Sequence, residues 1–228
     1  MLKALILIMT ISVGNLPPTY QPHEGQQTLF HLSYDINELL YGGEAGGGKS
    51  AAIVAESLRQ VRHPNYQGII FRRTNDELEQ IKIEARKMFP AAGGYYRESD
   101  NTGVFDSGAR IYLRYMQYEK DRLKYQGREF QFIGFDELTH FTENQYTYLF
   151  SRCRKAKPGL MCYVRASANP GGPGHPWVKK RFIDTVPADK YRRPVPKWFW
   201  GSKDPDTGDW VEREVAEGTK NAFSRAFI

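Results

Sequence analysis

The stretch Gly43-Glu44-Ala45-Gly46-Gly47-Gly48-Lys49-Ser50 decides the fold, because it matches the pattern G-x-x-x-x-G-K-S at every fixed position. The apolar residues 39–41 precede it and the helix-forming residues 51–56 follow it. Strand, glycine-rich loop and helix in this order predict a phosphate-binding loop, since the backbone N–H groups and the helix N-terminus converge on phosphate oxygens. In such a loop Lys49 contacts the β- and γ-phosphates and the Ser50 hydroxyl binds Mg²⁺.

Composition limits the classes of protein that remain. The chain has 228 residues, is 40% hydrophobic and 25% charged, and carries a formal net charge of +6. This length suits one large domain or one domain with a small appendage, and the basic excess permits a polyanionic partner without requiring one. Cys153 and Cys162 form neither a disulfide framework nor a zinc motif, which favours a reducing, cytosolic setting.

The N-terminus and the body of the chain differ in pattern. Residues 4–13 are apolar but too short to cross a bilayer, so we expect a leader over residues 1–19, with a signal peptide as the alternative. Strands are predicted over residues 68–71, 102–105, 110–116, 132–135 and 160–164, and helices over 76–88, stopped by Pro90, and 177–183. The alternation predicts an α/β fold with a mainly parallel central sheet flanked by helices, and a ligand at the carboxyl ends of its strands.

Two adjacent carboxylates, Asp136 and Glu137, follow the apolar residues 132–135. Alone, such a pair also fits a solvated acidic turn. Behind a phosphate-binding loop it predicts a Walker B arrangement, in which Asp136 holds Mg²⁺ and Glu137 polarises the water that attacks the γ-phosphate. The second carboxylate favours hydrolysis by water over transfer to a bound acceptor.

Three further candidates are weaker, because an ordinary structural role fits the local sequence at least as well. Asn169 could bond the attacking water or Glu137, but Asn-Pro is also an ordinary turn. A glutamine amide at Gln26 or Gln27 fits an adenine edge, and this stretch also fits a solvated surface. Charge on the transferring phosphoryl group would be stabilised by an arginine, acting in cis or in trans, and the candidates are Arg72, Arg73, Arg128, Arg152 and Arg154.

Three segments, residues 41–50, 125–139 and 167–183, resemble the ATPase domain of the large terminase subunit of tailed bacteriophages. The resemblance covers roughly residues 20–185 and implies a P-loop NTPase of the ASCE, RecA-like type that uses ATP and Mg²⁺. It gives Gln26 or Gln27 the adenine role, without deciding between them. It also implies that residues 167–169 couple hydrolysis to movement, which makes Asn169 a mechanistic residue. Many members carry an arginine inside the loop; residues 44–47 supply none here, so Arg128 becomes the first candidate for the arginine finger.

The same resemblance implies what the protein does. The chain would drive double-stranded viral DNA into a procapsid in the host cytoplasm, as a homo-oligomeric ring with the portal protein and the small terminase subunit, and without a membrane. Residues 20–185 would be the ATPase domain, and residues 186–228 a small C-terminal β-hairpin or linker towards a nuclease domain outside this chain. The full-length protein would then also be an endonuclease. The basic residues 179–181 are a candidate DNA surface or a solvated face.

Other classes of function remain as alternatives. A helicase-like, nucleic-acid-dependent ATPase shares the motifs but normally needs a second RecA-like domain, for which this chain is too short. A small-molecule or nucleoside kinase would need an acceptor site and a lid, and would not need Glu137. A non-catalytic scaffold is disfavoured by the intact set of Lys49, Ser50, Asp136 and Glu137.

Overall fold

The computed structural model describes residues 16–43, 46–154, 158–185, 196–203, 205, 207, 210–220 and 222–228. Ten strands form one sheet: β1 Glu38–Gly42, β2 Gln67–Arg72, β3 Gly94–Arg97, β4 Thr102–Phe105, β5 Arg110–Tyr115, β6 Phe132–Phe135, β7 Tyr163–Ala168, β8 Lys197–Lys203, β9 Trp210–Val215 and β10 Phe223–Phe227. The α-helices are α1 Gln26–Leu32, α2 Lys49–Ser57, α3 Leu78–Ala91, α4 Glu143–Phe150 and α5 His175–Val178. Short 3-10 helices span Glu98–Asp100, Glu119–Tyr125 and Leu138–His140, and a π-helix spans Lys179–Asp184.

The strand order is β3-β4-β5-β2-β6-β7-β1-β10-β8-β9. The six central strands, in the spatial order β5-β2-β6-β7-β1-β10, pair in parallel. Two antiparallel strands complete each edge, β3 and β4 at one and β8 and β9 at the other. The predicted α/β fold with a mainly parallel sheet is therefore confirmed. Parallel strands end at the same edge, so the segments that follow β1, β6 and β7 meet there. Strand β7 lies between β1 and β6 and brings its own carboxyl end to that meeting point.

The core lies on both faces of the sheet. Successive side chains of a strand point to opposite faces, so Ile70 packs into one buried cluster and Ile69 and Phe71 into the other. The first cluster lies beneath α2 and α3 and includes Ile53 and Phe89. The second lies beneath α4, α5 and the π-helix. This two-sided burial explains the continuous apolar runs of β2 and β6, which lack the alternation of a half-exposed strand.

Several boundaries differ from the sequence expectations. Pro90 does not stop α3 before it but lies inside its last turn, where only Ala91 follows. Strand β7 covers 163–168, whereas 160–164 was predicted. The apolar pattern missed its second half because the strand carries the polar residues Arg165 and Ser167, which are both fully buried. Residues 177–183 are split between α5 and the π-helix.

The C-terminal strands continue the central sheet. Two of them, β8 and β9, pair antiparallel. Strand β10 was not predicted; it pairs in parallel with β1 and antiparallel with β8, and so joins the C-terminal strands to the central sheet. Ser224 and Arg225 interrupt its apolar pattern although both are buried. The expected leader, residues 1–19, lies outside the described residues except for 16–19.

No helix in the described part of the chain is long and apolar enough to span a membrane.

Candidate active site

The glycine-rich loop joins β1 to α2, and its glycines adopt conformations that other residues avoid. Gly43, Gly46 and Gly48 have φ values of 140°, 88° and 65°. Gly48 is the N-cap of α2, and a Cβ there would lie 2.8 Å from the Gln27 Nε2 atom. The left-handed backbone conformation therefore favours glycine at position 48, and the Gln27 amide lies close against it. Residues 44 and 45 lie outside the described residues.

Lys49 is the first residue of α2 and is buried. Its Nζ atom donates a hydrogen bond to the Gly43 carbonyl oxygen at 3.1 Å, which holds the side chain along the loop. Burial lowers the pKa of the Lys49 amine, while Glu137 and Asp136 raise it, and the net direction is downward. The same burial places a cation in a site from which much of the water is excluded, where it attracts phosphate more strongly.

Asp136 lies directly after β6 and is 1% exposed. Its Oδ2 atom accepts a hydrogen bond from the Ser50 hydroxyl at 2.8 Å, and its Oδ1 atom accepts one from the Ser167 hydroxyl at 2.5 Å. The Arg72 Nε atom lies 2.8 Å from Oδ2. A hydroxyl and a carboxylate are hard oxygen donors of the kind that Mg²⁺ prefers, so Ser50 and Asp136 fit the expected metal.

Glu137 has a left-handed backbone conformation, with φ 60° and ψ 62°. Its carboxylate accepts two hydrogen bonds from Asn169, one from Nδ2 to Oε1 at 2.7 Å and one from the backbone N–H to Oε2 at 3.2 Å. The Glu137 N–H donates to the Ser167 hydroxyl oxygen at 3.1 Å. Residues at the ends of β6 and β7 therefore fix both the backbone and the carboxylate of Glu137.

The two glutamines are placed differently. Gln27 is buried, and its amide accepts from the His23 N–H and donates from Nε2 to the Gly48 carbonyl oxygen at 3.1 Å. Gln26 is half-buried. Gln27 thus connects α1 to the phosphate-binding loop, and the adenine role of either residue stays a prediction.

The arginine candidates do not gather at the loop. The Arg128 guanidinium stacks on the rings of Tyr112 and Phe130, at 4.6 and 5.1 Å from their centroids. Both rings belong to the core face opposite α2. Arg73 donates to the Met116 carbonyl oxygen and to Gln145. The other two candidates are also held elsewhere: Arg152 lies over Tyr148, and Arg154 pairs with Glu129. Among the five candidates, Arg72 reaches the Walker B carboxylate.

A cavity of about 390 Å³ lies over the loop. Residues 46–51, Glu137 and Asn169 line it, together with Gln80 and Glu84 from α3. Sequence reasoning missed these two side chains. They are four residues apart on the helix that follows β2, so they share one helix face, and this spacing is the signal that would have found them.

The candidate DNA surface at residues 179–181 is largely occupied by internal contacts. Arg181 is buried and donates to Glu38 and Glu212. Lys179 pairs with Asp184 at 2.6 Å. The expectation that these three residues present one basic face is therefore wrong for Arg181.

Strand order, loop and paired carboxylates together define a P-loop α/β protein. A family model described as the N-terminal region of the T4-like virus type terminase large subunit matches residues 40–175. The chain therefore belongs to the family of terminase large subunits, in its N-terminal region. No curated protein is similar enough in sequence to count as a match.

Solved structures show the same fold. The large terminase from a thermophilic bacteriophage is 18% identical, with a TM-score of 0.57 over 72% of this chain and 43% of that one. The same protein in complex with ATP-γ-S is 21% identical, with a TM-score of 0.51 over 69% and 38%. Its ADP complex is 19% identical, with a TM-score of 0.54 over 69% and 39%. The chain spans about two fifths of the length of these structures.

Proposed function

We propose that this chain is the ATP-hydrolysing motor domain of a phage terminase large subunit, which drives double-stranded DNA into a procapsid. The observation that carries the proposal is the pair of hydrogen bonds from Asn169 to the Glu137 carboxylate, in the cavity that Lys49 also lines. A basic carboxylate held beside a phosphate-binding lysine is the arrangement that hydrolysis of a nucleoside triphosphate needs. The structural neighbour that binds ATP-γ-S has the same fold, which supports ATP as the substrate.

Phosphate binding falls to the loop. The backbone N–H groups at the start of α2 point to the cavity and favour negative charge there. Lys49 adds a full positive charge to the β- and γ-phosphates. Ser50 and Asp136 would hold Mg²⁺, which neutralises phosphate charge when bound.

Water activation falls to Glu137. Asn169 occupies both carboxylate oxygens with donors, so the carboxylate is held in one orientation. The Asn169 Oδ1 atom is buried without a hydrogen-bond partner among the described residues. An acceptor in this position suits a water molecule that Glu137 also contacts, and it makes Asn169 responsive to whether that water and the γ-phosphate are present. This is how Asn169 would couple hydrolysis to movement.

The remaining assignments are proposals from the family. DNA contacts would be mainly to phosphates, because packaging must tolerate any sequence. The portal protein and the small terminase subunit would be partners in the host cytoplasm, and the chain would act in a homo-oligomeric ring. Arg128 lies away from its own loop, so it would act as an arginine finger only in trans, on a neighbouring subunit. Gln26 or Gln27 would contact adenine.

The test is ATP turnover with Mg²⁺, with and without double-stranded DNA. We expect turnover that DNA stimulates, and its loss in Lys49→Ala, which removes the cation facing the phosphates. Calorimetry should show that Lys49→Ala also binds ADP more weakly. Turnover that needs a phosphoryl acceptor other than water would favour a kinase, and the absence of nucleotide binding in the parent protein would overturn the proposal.

A further inference from the structure

The strongest unexplained feature of the molecule is the pairing of Arg72 with the Walker B aspartate. Arg72 is the last residue of β2, and Asp136 follows the neighbouring strand β6 at the same edge of the sheet. The Arg72 side chain is 12% exposed and the Asp136 side chain is 0% exposed. The Nε atom lies 2.8 Å from Oδ2, the same oxygen that the Ser50 hydroxyl contacts.

This pair is held by charge more than by hydrogen-bond geometry. At 2.8 Å the two atoms are close enough for a hydrogen bond, but Nε has no aligned acceptor among the described residues. A misaligned contact is weaker than a directed one at the same distance. The neighbouring Arg73 differs, since its guanidinium donates to the Met116 carbonyl oxygen and to Gln145. Arg72 therefore lacks a directed hydrogen bond from Nε that would fix it to Asp136, whereas Arg73 is fixed by two hydrogen bonds.

Arg72 and a divalent cation would claim the same carboxylate. Ser50 and Asp136 are the oxygen donors that fit Mg²⁺. The Arg72 guanidinium contacts Asp136 Oδ2, the oxygen that also accepts from the Ser50 hydroxyl. Two cations on one buried carboxylate oxygen repel each other strongly where water is scarce. Arg72 is not among the residues that line the cavity over the loop. A nucleotide would therefore act on Arg72 through the cation that it brings, which would displace the guanidinium from Asp136.

We propose that Arg72 is a positioning residue that occupies Asp136 until the divalent cation and the nucleotide arrive together. It makes metal binding depend on nucleotide and so suppresses binding of the cation alone. This inference rests on the proposed function, because it assumes that the cavity takes a nucleotide with its cation.

The test measures binding, not turnover. ADP affinity is determined by calorimetry at increasing Mg²⁺, and the Mg²⁺ concentration that gives half of the full effect is compared between variants. In Arg72→Ala this concentration should fall by about tenfold, which corresponds to about 1.4 kcal/mol. Arg72→Lys should fall between Arg72→Ala and the parent. Arg73→Ala is the matched control, since it removes a positive charge at the same edge without freeing Asp136, and its Mg²⁺ requirement should stay at the parent value.

Two outcomes would overturn the inference. One is an Arg72→Ala variant that needs as much Mg²⁺ as Arg73→Ala, or more, while unfolding at the parent temperature. The other is that Arg72→Ala lowers the Mg²⁺ requirement by the same factor when Asp136→Asn is also present. Competition for the carboxylate must disappear when the carboxylate itself is removed. If the parent protein binds no ADP with Mg²⁺, the proposed function fails instead, so the two failures are distinguishable.

Discussion

Among individual residues, Glu137 holds a backbone conformation that a non-glycine residue adopts at a cost of about 1–3 kcal/mol. The surrounding contacts offset this cost, because Ser167 accepts from its N–H and Asn169 donates twice to its carboxylate. A strained residue fixed on both sides is typical of a group that must be aimed. The strain is therefore consistent with the proposal that Glu137 is the catalytic base.

We predict that Glu137→Gln keeps binding of ADP with Mg²⁺ but loses turnover by about 10²-fold or more, the size of a general-base contribution. The amide oxygen can still accept one of the two hydrogen bonds from Asn169, so we expect the site to keep its backbone arrangement. Turnover is measured by phosphate release, and binding by calorimetry. Glu129→Gln is the control, since this exposed carboxylate pairs with Arg154 at 3.6 Å, away from the cavity. A parent-like rate in Glu137→Gln would show that another group activates the water.

Among the helices and strands, the site depends on how closely α2 packs on β6. Gly134 lies in the middle of β6, and a Cβ there would be 2.8 Å from the Ile53 Cγ2 atom, 3.2 Å from an Ile70 carbon and 3.1 Å from a Phe132 carbon. Ile53 is β-branched and stiff, so it cannot turn away easily. Glycine at this position lets α2 approach, and so sets the contact between Ser50 and Asp136.

We predict that Gly134→Ala lowers the free energy of unfolding by about 1–3 kcal/mol, the cost of overpacking a core. It should also weaken the Mg²⁺ dependence of nucleotide binding, because α2 moves relative to β6. Ile53→Ala is the second variant of a double-mutant cycle measured by urea unfolding. Removing Ile53 Cγ2 should reduce the cost of Gly134→Ala, and strict additivity of the two variants would contradict the packing argument.

Some of the helices and strands could be predicted from sequence and others could not. Loop, Walker B pair and central strands follow from local patterns, since residues 43–50 and 132–137 carry their signal in a few adjacent positions. Strand β10 and the true extent of β7 could not be found this way, because Arg225 and Arg165 are buried polar residues that break an apolar run. Their partners, Glu38 for Arg225 and the carbonyl oxygens of Ser33 and Ile36 for Arg165, are distant in sequence.

The same limit applied to the candidate site. Arg72 and Arg128 are both finger candidates from sequence, with Arg128 placed first, and only the packing shows that Arg72 lies on Asp136 while Arg128 stacks on two rings. The contact of Gln27 with the loop likewise spans 21 positions in the chain. Chemical type was predictable for these residues, but the partner of each was not.

Across the molecule, a buried ionic cluster joins the C-terminal strands to the rest of the sheet. Glu38 begins β1, the strand that leads to the phosphate-binding loop, and it accepts from Arg181, Arg225 and Tyr146. Glu212 of β9 accepts from the same two arginines. Two carboxylates and two guanidinium groups therefore connect β1, β9, β10 and the π-helix. Any shift of the π-helix relative to β1 must rearrange this cluster.

The cluster predicts a pH-dependent stability. Burial raises the pKa of Glu212, but Arg181 and Arg225 together lower it by more, so the net pKa lies below the ordinary value of 4.5. A carboxylate with a depressed pKa stabilises the fold fully above its unfolded pKa, and this stabilisation is lost as pH falls through the folded pKa. Glu212→Gln should therefore lower the free energy of unfolding by about 3 kcal/mol at neutral pH, since it leaves two guanidinium groups short of a partner.

Urea unfolding of the parent and of Glu212→Gln at about pH 7 and about pH 3.5 measures this difference directly, and it should shrink at the lower pH. Glu214→Gln is the matched control on β9, because Glu214 is 54% exposed and pairs with the surface residue Lys197. Its effect should stay within about 0.5 kcal/mol, as is usual for an exposed pair. A loss in Glu212→Gln that is independent of pH would mean that the side chain acts by packing and not by its charge. A loss as small as that of Glu214→Gln would show that the cluster does not hold the C-terminal strands to the sheet, and that β10 is retained by its backbone pairing with β1 alone.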